Sequence, residues 1–298
     1  MKKKILITGV TGFLGSSLAK LFLSKDYCVV GLKRSFSNVN NLSDFLGHKD
    51  LILYDIDKIS LEEIFIGHRV DIIINSATSS SNRGGDICQI MDANVIFPLK
   101  LLECAYKNGC KKFINAGVFI PNEYIDSYYY SKKIFLDSML EYSRHLQVVD
   151  VHLQMLYGKN SSDTQFISKV ILGFFNGIEC LNLTKGLQKR DFIYIDDAVN
   201  AFDVIVESLG LFQRKYTKIE LGNGNSVTIK YLIETLKELT HNKTTKLNFG
   251  SVEYRDNEIM DLQANTKLLH SLGWTPKVNF KDGLKKTVDD IKLELYND

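Results

Sequence analysis

Through the first half of the chain, short apolar runs bounded by turn residues alternate with stretches long enough to be helices. The runs are KILIT (4–8), CVVGL (28–32), LILY (51–54), DIIIN (71–75), KFINA (112–116) and VVDVHL (148–153). Their apolarity is continuous rather than alternating, so both faces of each strand have to be buried, as in a parallel sheet covered by helices on two sides. Between them lie stretches such as FLGSSLAKLFLSK and ANVIFPLKLLECAYKNG. The pattern predicts an α/β fold with a doubly wound parallel sheet.

After about Gly158 the rhythm changes. SSDTQFISKVILGFFNG reads as a polar loop entering a helix, RDFIYIDDAVNAFDVIVESL as a short strand and a helix, and TIKYLIETLKELT as a further amphipathic helix. The tail holds two helix-like pieces around a Trp-Thr-Pro turn, and strands become few. This predicts a smaller mixed α/β lobe built from non-contiguous segments, with no internal repeat and no low-complexity linker.

Composition removes several classes of function. A 298-residue chain with 45% hydrophobic and 24% charged residues is globular rather than disordered. Its 37 basic and 35 acidic residues are scattered, which disfavours a dedicated nucleic-acid protein. Cys28, Cys88, Cys104, Cys110 and Cys180 are odd in number and form no Cys-x-x-Cys pair, so they read as free thiols of a reducing compartment. Lys2–Lys4 and ILIT imitate a signal peptide, but the apolar run breaks at once in TGVTG. No segment approaches the roughly 18 apolar residues of a membrane span. A cytoplasmic protein is expected.

The first strand runs into Gly9, Gly12 and Gly15, spaced by three residues at the mouth of an amphipathic helix. Glycines there permit a tight turn and a close approach of backbone to a pyrophosphate, and the helix N-terminus supplies amide donors. The candidate cofactor residues of this loop are Gly9, Thr11, Gly12, Phe13, Leu14 and Gly15. At the end of the second strand an acidic residue would grip the ribose of NAD, whereas Lys33, Arg34 and Ser35 suit the 2′-phosphate of NADP. A solvated loop is the other reading of those three residues. The expected cofactor is NADP, with NAD as the alternative. Asp55 ends the third strand, placed to accept from the adenine amino group, beside Ile56. Ser76, Ala77 and Thr78 would pass under the cofactor at the end of the fourth strand.

Residues 126–133, DSYYYSKK, contain two overlapping Tyr-x-x-x-Lys pairs, Tyr128 with Lys132 and Tyr129 with Lys133. Four-residue spacing stacks each pair on one helix face. From Lys132 the face continues through Phe135, Leu136, Met139 and Leu140 and is apolar, whereas from Lys133 it continues through Asp137 and Glu141. Tyr128 and Lys132 are therefore expected to point inward, and Tyr129 and Lys133 outward.

The glycine loop followed far downstream by Tyr-x-x-x-Lys resembles the extended short-chain dehydrogenase/reductase family, also called the NAD-dependent epimerase/dehydratase family, over nearly the whole chain. Within it the sequence is most similar to the CDP-abequose and CDP-paratose synthases, through TGVTGFLGSSL, LKRSFSN, YYYSKK, LTKGLQKRDFIYIDDAVNAF, LNFGSVEYRDNEIM and LLHSLGWTPK. The resemblance implies an NADP-binding Rossmann domain over 1–158 plus about 187–222, and a sugar-nucleotide lobe over about 159–186 and 223–298. It implies reduction of a nucleotide-linked 4-ketohexose in the biosynthesis of surface-polysaccharide sugars, with Tyr128 giving a proton to the nascent alkoxide. Lys132 would hold the nicotinamide ribose and depress the phenol pKa. Asn94 and Leu156 join the implied cofactor residues. Arg190 and Arg255 become candidates for the substrate phosphates, with structural ion pairs to Asp191 or Glu258 as the alternative. Ser79 and Ser80 either contact the sugar or form a plain polar loop. A homodimer is implied through helices near 86–108 and 127–145, and no metal is.

One expected feature is missing. Relatives place a serine or threonine at the end of the fifth strand to hydrogen-bond the substrate carbonyl; in register that position is Ala116, followed by Gly117 and Val118. No acid at 117 or 118 argues against a 4,6-dehydratase. Asn115, Thr78 or a water would have to replace the lost donor; an epimerase with retained cofactor and a non-catalytic dinucleotide-binding protein remain the alternatives.

Overall fold

The computed structural model describes residues 2–79, 86–120 and 126–297. Its strands are β1 (Lys4–Thr8), β2 (Cys28–Lys33), β3 (Leu51–Asp55), β4 (Ile72–Asn75), β5 (Lys112–Val118), β6 (Gln147–Leu153), β7 (Met155–Tyr157), β8 (Cys180–Leu183), β9 (Lys189–Tyr194), β10 (Tyr216–Leu221), β11 (Ser226–Thr228), β12 (Lys246–Phe249) and β13 (Asp261–Leu262). Its α-helices are α1 (Phe13–Ser24), α2 (Leu61–Gly67), α3 (Ile87–Met91), α4 (Phe97–Lys107), α5 (Ser127–Tyr142), α6 (Phe166–Phe175), α7 (Ile195–Ser208), α8 (Ile229–Leu239), α9 (Lys267–Ser271) and α10 (Phe280–Asn297). A π-helical turn, Asp92–Ile96, joins α3 to α4.

The chain divides into two compact units, residues 1–153 with 202–219, and residues 154–201 with 220–298. The first holds the seven-stranded sheet, in the order β10-β6-β5-β4-β1-β2-β3. All pairings from β3 across to β6 are parallel. This is the doubly wound Rossmann arrangement, with its reversal of strand order beside β1, where the strand ends open a crevice. The six apolar runs became β1–β6, and residues such as Ile5, Leu6, Ile7, Ile73, Ile74, Phe113 and Ile114 are wholly buried or nearly so. The edge strand β10 carries no comparable apolar run and was not expected.

A polar row crosses this apolar sheet. Thr8, Asn75, Asn115 and Asp150 are direct register partners on β1, β4, β5 and β6. Thr8 Oγ1 donates to Asn75 Oδ1 at 2.8 Å, Asn75 Nδ2 to Asn115 Oδ1 at 2.9 Å, and Asn115 Nδ2 to Asp150 Oδ1 at 2.8 Å. The Thr8 hydroxyl also accepts from the amides of Ser76 and Ala77, at 3.1 and 3.0 Å.

In the second unit β9 is central: β7 and β13 pair with it in parallel and β11 antiparallel. Residues 187–201 fall in this unit, whereas the resemblance implied that they join the first. Strands here are short rather than few, and β8 with β12 forms a separate parallel ribbon. Two aspartates of RDFIYIDD hold the unit together. Asp191 accepts from the amides of Asn223, Gly224 and Ala264 at 2.7, 3.0 and 3.1 Å. Asp197 accepts from those of Lys277 and Val278, both at 2.9 Å, while its carbonyl takes the indole N–H of the buried Trp274.

Replacing Thr8 by valine keeps the shape but strips two amides of their acceptor and Asn75 of its donor. An unsatisfied buried group costs about 1–3 kcal/mol, so Thr8→Val is expected to lower unfolding free energy in urea by about 3 kcal/mol. A loss below about 0.5 kcal/mol, the range of an unremarkable surface substitution, would show that the hydroxyl holds nothing.

Candidate active site

The glycine loop has the geometry its spacing implies. Gly9 adopts φ +62°, and a Cβ there would lie 2.9 Å from the Ala77 Cα. A Cβ on Gly15 would lie 2.2 Å from the Gly9 carbonyl oxygen, so the helix can approach the turn only with glycine there. Gly12 is the N-cap of α1 and offers no side chain to its first amides. They remain available to an anion, with no acidic residue in the first turn. Thr11, Phe13 and Leu14 are partly exposed along this loop, and the Thr11 carbonyl accepts from Asn41 Nδ2 at 3.1 Å. A bare glycine cradle against uncapped helix amides fits the pyrophosphate of a dinucleotide.

At the ends of β2 and β3 the charges pair differently from the sequence assignment. Lys33 and Asp55, assigned to the 2′-phosphate and to adenine, form an ion pair at 2.5 Å, with Lys58 3.5 Å from the same carboxylate. The Lys33 hydrogen bond holds the Asp55 carboxyl below its usual range. Ile56 donates its amide to the Lys33 carbonyl. Ser35 is gripped through both its amide and its hydroxyl by Asp57, a residue the sequence reading missed although it stands two positions after Asp55. Arg34 is exposed, and its guanidinium lies over the Phe36 ring, 4.7 Å from the centroid. Of the three residues assigned to the 2′-phosphate, Arg34 is the one whose charge is not spent on a carboxylate in the described contacts.

Past β4, Ser76 Oγ donates to the Thr8 carbonyl at 2.6 Å. Asn94, within the π turn, knits the next residues to α5: its Oδ1 accepts from the Ser79 amide at 2.8 Å and the Thr78 hydroxyl at 3.2 Å, while its Nδ2 donates to the Ser79 carbonyl and to Ser131 Oγ. A π turn re-aims one side chain without ending the helix, which is its usual service at functional sites. Ser80 lies outside the described residues.

Asp126 caps α5 by accepting from the amides of Tyr128 and Tyr129 at 2.9 and 3.1 Å. Lys132 is buried at 6% exposure while Lys133 is exposed, and Phe135 and Met139 bury the same face. Leu140, counted with that face in the sequence, is exposed. Lys132 Nζ lies 5.7 Å from the centroid of the Tyr128 ring. Burial pulls the ammonium from its ordinary 10.5 down to about 8, against the charge of Asp150, which raises it. A cation held beside a phenol favours the phenolate and so eases release of the phenolic proton, which is what a general acid requires.

On β5, Asn115 is buried in the sheet, its Oδ1 accepting from Asn75 and one Nδ2 hydrogen donated to Asp150. The strand continues to Val118, so its end lies two residues beyond Ala116 on the same face. Neither residue carries a hydroxyl. A Cβ on Gly117 would lie 2.4 Å from Asp150 Oδ1.

Three assigned residues belong to the second unit. Leu156 sits in β7 opposite Ile193. Arg190 pairs with Glu258 and donates to the Ile259 carbonyl at 2.6 Å, one of the two partners foreseen for a structural role. Arg255 is exposed. Among the described residues no cluster of His, Cys, Asp and Glu suits a metal, and no helix is long and apolar enough to cross a membrane.

Burying the Lys132 charge costs stability, and the sign fixes the pH window. Below about 8 both states hold the proton and the full cost is present; between about 8 and 10.5 only the unfolded chain holds it, so stability rises with pH. Lys132→Met is expected to be more stable than the parent in urea at pH 7, by up to roughly 3 kcal/mol, with the gain shrinking toward pH 10. A variant no more stable than the parent at pH 7 would show that the charge is not desolvated.

Residues 5–214 match the NAD dependent epimerase/dehydratase family. CDP-abequose synthase of Salmonella muenchen is 32% identical over 297 residues, 96% of this chain and 97% of the relative. The dTDP-4-dehydro-6-deoxyglucose reductase of Escherichia coli is 26% identical and covers 98% of this chain and 99% of its own. Among solved structures, UDP-glucose 4-epimerase of Thermotoga maritima superposes with a TM-score of 0.84 at 23% identity, covering 98% of this chain and 99% of that one, and so shares the fold. The glycine loop, the Tyr128–Lys132 pair and a family match over two thirds of the residues agree, and the chain belongs to the NAD dependent epimerase/dehydratase family.

Proposed function

We propose that the protein is an NADP(H)-dependent reductase of a nucleotide-linked 4-keto-deoxyhexose, CDP-linked, acting in the cytoplasm in the synthesis of surface-polysaccharide sugars. The observation that carries the reading is the buried Lys132 ammonium over the Tyr128 ring, in a chain similar from end to end to CDP-abequose synthase. The E. coli relative is a reductase by name, which supports the direction of the reaction. The absence of an acid at Gly117 and Val118 disfavours dehydration.

The dinucleotide that the glycine loop would hold would contribute, in its reduced form, the hydride for the C4 carbonyl carbon. As charge develops on that oxygen, Tyr128 donates its phenolic proton to it. Lys132 lowers the cost of the resulting phenolate by its positive charge, and its ammonium reaches for the ribose hydroxyls. Because Lys132 releases its proton near pH 8, this assistance fades as pH rises through that value. Gly9, Gly12 and Gly15 let the backbone meet the pyrophosphate. Arg34 is the residue that reads the 2′-phosphate, with Lys33 retired into its pair with Asp55. Arg255 is the freer candidate for the substrate diphosphate, since Arg190 is engaged by Glu258. The homodimer belongs to the same reading, supported by Ile87, Ile96, Tyr130 and Leu140, exposed on the helices expected to form it.

The test is turnover of NADPH with a panel of 4-keto sugar nucleotides. Consumption of NADPH with a CDP-linked substrate is expected, with Tyr128→Phe slower by about a hundredfold or more and Tyr129→Phe retaining most activity. Interconversion of epimers by a protein that keeps its dinucleotide and consumes none would make it an epimerase; a fully active Tyr128→Phe would refute the assigned pair.

Cofactor choice is tested separately by titration. NADPH is expected to bind more tightly than NADH, and Arg34→Ala to narrow the difference by about tenfold, the worth of one charge-assisted hydrogen bond. Equal affinities in the parent would overturn the preference.

A further inference from the structure

We propose, resting on the reading of the end of β2 as a 2′-phosphate site, that Asp57 is a specificity-determining residue for the dinucleotide. Its carboxylate occupies the two donors of Ser35 that a 2′-phosphate would use, so a phosphate-bearing cofactor has to displace it and a phosphate-free one does not.

The register of the sheet brings the two residues together. Lys33 and Asp55 are partners on the parallel pair of β2 and β3, and Ser35 and Asp57 each stand two residues further along. Beyond the strand ends the same offset still holds: Ser35 donates its amide to Asp57 Oδ1 at 2.7 Å and its hydroxyl to Oδ2 at 2.5 Å. An N–H and an O–H from one residue, aimed at two oxygens of one anion, are the donors with which proteins also hold a phosphate. The carboxylate is therefore an internal stand-in for that group. Its bonds to the Ser35 hydroxyl and then to the Ser35 amide hold the Asp57 carboxyl below its usual range, so the stand-in is an anion at neutral pH.

The neighbouring charges are arranged so that this one matters. Asp55 is shared by Lys33 and Lys58, at 2.5 and 3.5 Å, and Arg34 lies over the Phe36 ring. Asp57 is held by the dipoles of Ser35 and, among the described residues, by no cation at ion-pair distance. Its negative charge thus stands one residue along from the guanidinium that reads the phosphate. An incoming 2′-phosphate would exchange the bonds between Asp57 and Ser35 for its own, trading one charge-assisted pair for another with little net gain. Until Asp57 turned aside, two like charges would also face each other, which is discrimination by repulsion. Ser35 and Asp57 meet in an exposed contact, where water weakens such effects, so the carboxylate is a brake and not a bar. Arg34 supplies the preference for NADP(H), and Asp57 limits it. A dinucleotide without the phosphate leaves the contact as it stands.

The experiment is calorimetric titration of NADPH and of NADH into the parent, Asp57→Ala, Ser35→Ala and the double variant, which reads binding without turnover. Asp57→Ala is expected to tighten NADPH by about tenfold, the worth of a charge-assisted hydrogen bond returned to the ligand. NADH should stay within about threefold of its parental affinity, the range of an ordinary surface substitution. Asp57→Asn, which keeps the shape and drops the charge, should move NADPH in the same direction by less. Adding Ser35→Ala to Asp57→Ala should take back most of the gain, whereas Ser35→Ala alone should change NADPH binding little. An Asp57→Ala protein that binds NADPH no more tightly than the parent overturns the proposal. So does an equal gain for both dinucleotides, which would report a loosened turn and not a freed phosphate site. Equal affinities in the parent would refute the NADP preference but not the role of Asp57, which is read from the change on its removal; a parent that binds neither dinucleotide refutes both.

Discussion

The row of hydrogen bonds from Thr8 to Asp150 is the constraint on which the ordering of the site depends. Its four residues are successive register partners on four adjacent strands, so a slip of one residue in any strand would turn a polar side chain to the opposite face of an otherwise apolar layer. Three of the four strands leave the row into a loop or strand end of the candidate site: Gly9 follows Thr8, Ser76 follows Asn75, and Ala116 follows Asn115. Fixing the register therefore fixes the level at which the glycine turn, the Ser76–Ser79 segment and the end of β5 emerge. The donors all run in one direction, hydroxyl to amide to amide to carboxylate, so each bond polarises the next and the chain ends on a group that needs donors.

Polar groups in an apolar sheet are tolerated only when satisfied, and the four members of this row satisfy one another, while beyond its end His152, bonded to Asp150, keeps a buried Nδ1 without a partner. The same low-dielectric surroundings that strengthen these bonds also make the Lys132 charge expensive. Burial lowers the Lys132 pKa, and the charge of Asp150, at the end of the row, raises it in part.

The repeating parts of this architecture were legible in the sequence, and the pairings between distant residues were not. Continuous apolar runs revealed six strands because each is buried on both faces, whereas β7, β11 and β13 are two or three residues long and carry no periodicity to read. The inward face of α5 followed from Lys132, Phe135 and Met139, since helical spacing is local. The Lys33–Asp55 pair joins residues 22 positions apart and depends on β2 lying beside β3, so basic character at the end of β2 suggested a phosphate ligand where half of it meets a carboxylate. The extent of β5 was hidden for a similar reason: KFINA looked complete, but the strand runs two residues further because Gly117 and Val118 continue the pairing with β6. Asp57 gave no signal beyond its residue type, and its contact with Ser35 depends on the fold.

That strand end bears on how the proposed reaction would be driven. With Ala116 and Val118 on the face of β5 that would carry the expected hydroxyl, and with Asn115 turned into the sheet, the strand contributes no side-chain donor to a developing oxyanion. Thr78 does not fill the gap as it stands, because its hydroxyl donates to Asn94. Stabilisation would then fall on Tyr128 and on whatever keeps its proton mobile, which is the charge of Lys132. A site with two donors can tolerate a lysine that drifts toward neutrality; one that depends on a single phenol cannot, since each loss of charge at Lys132 acts directly on the remaining donor.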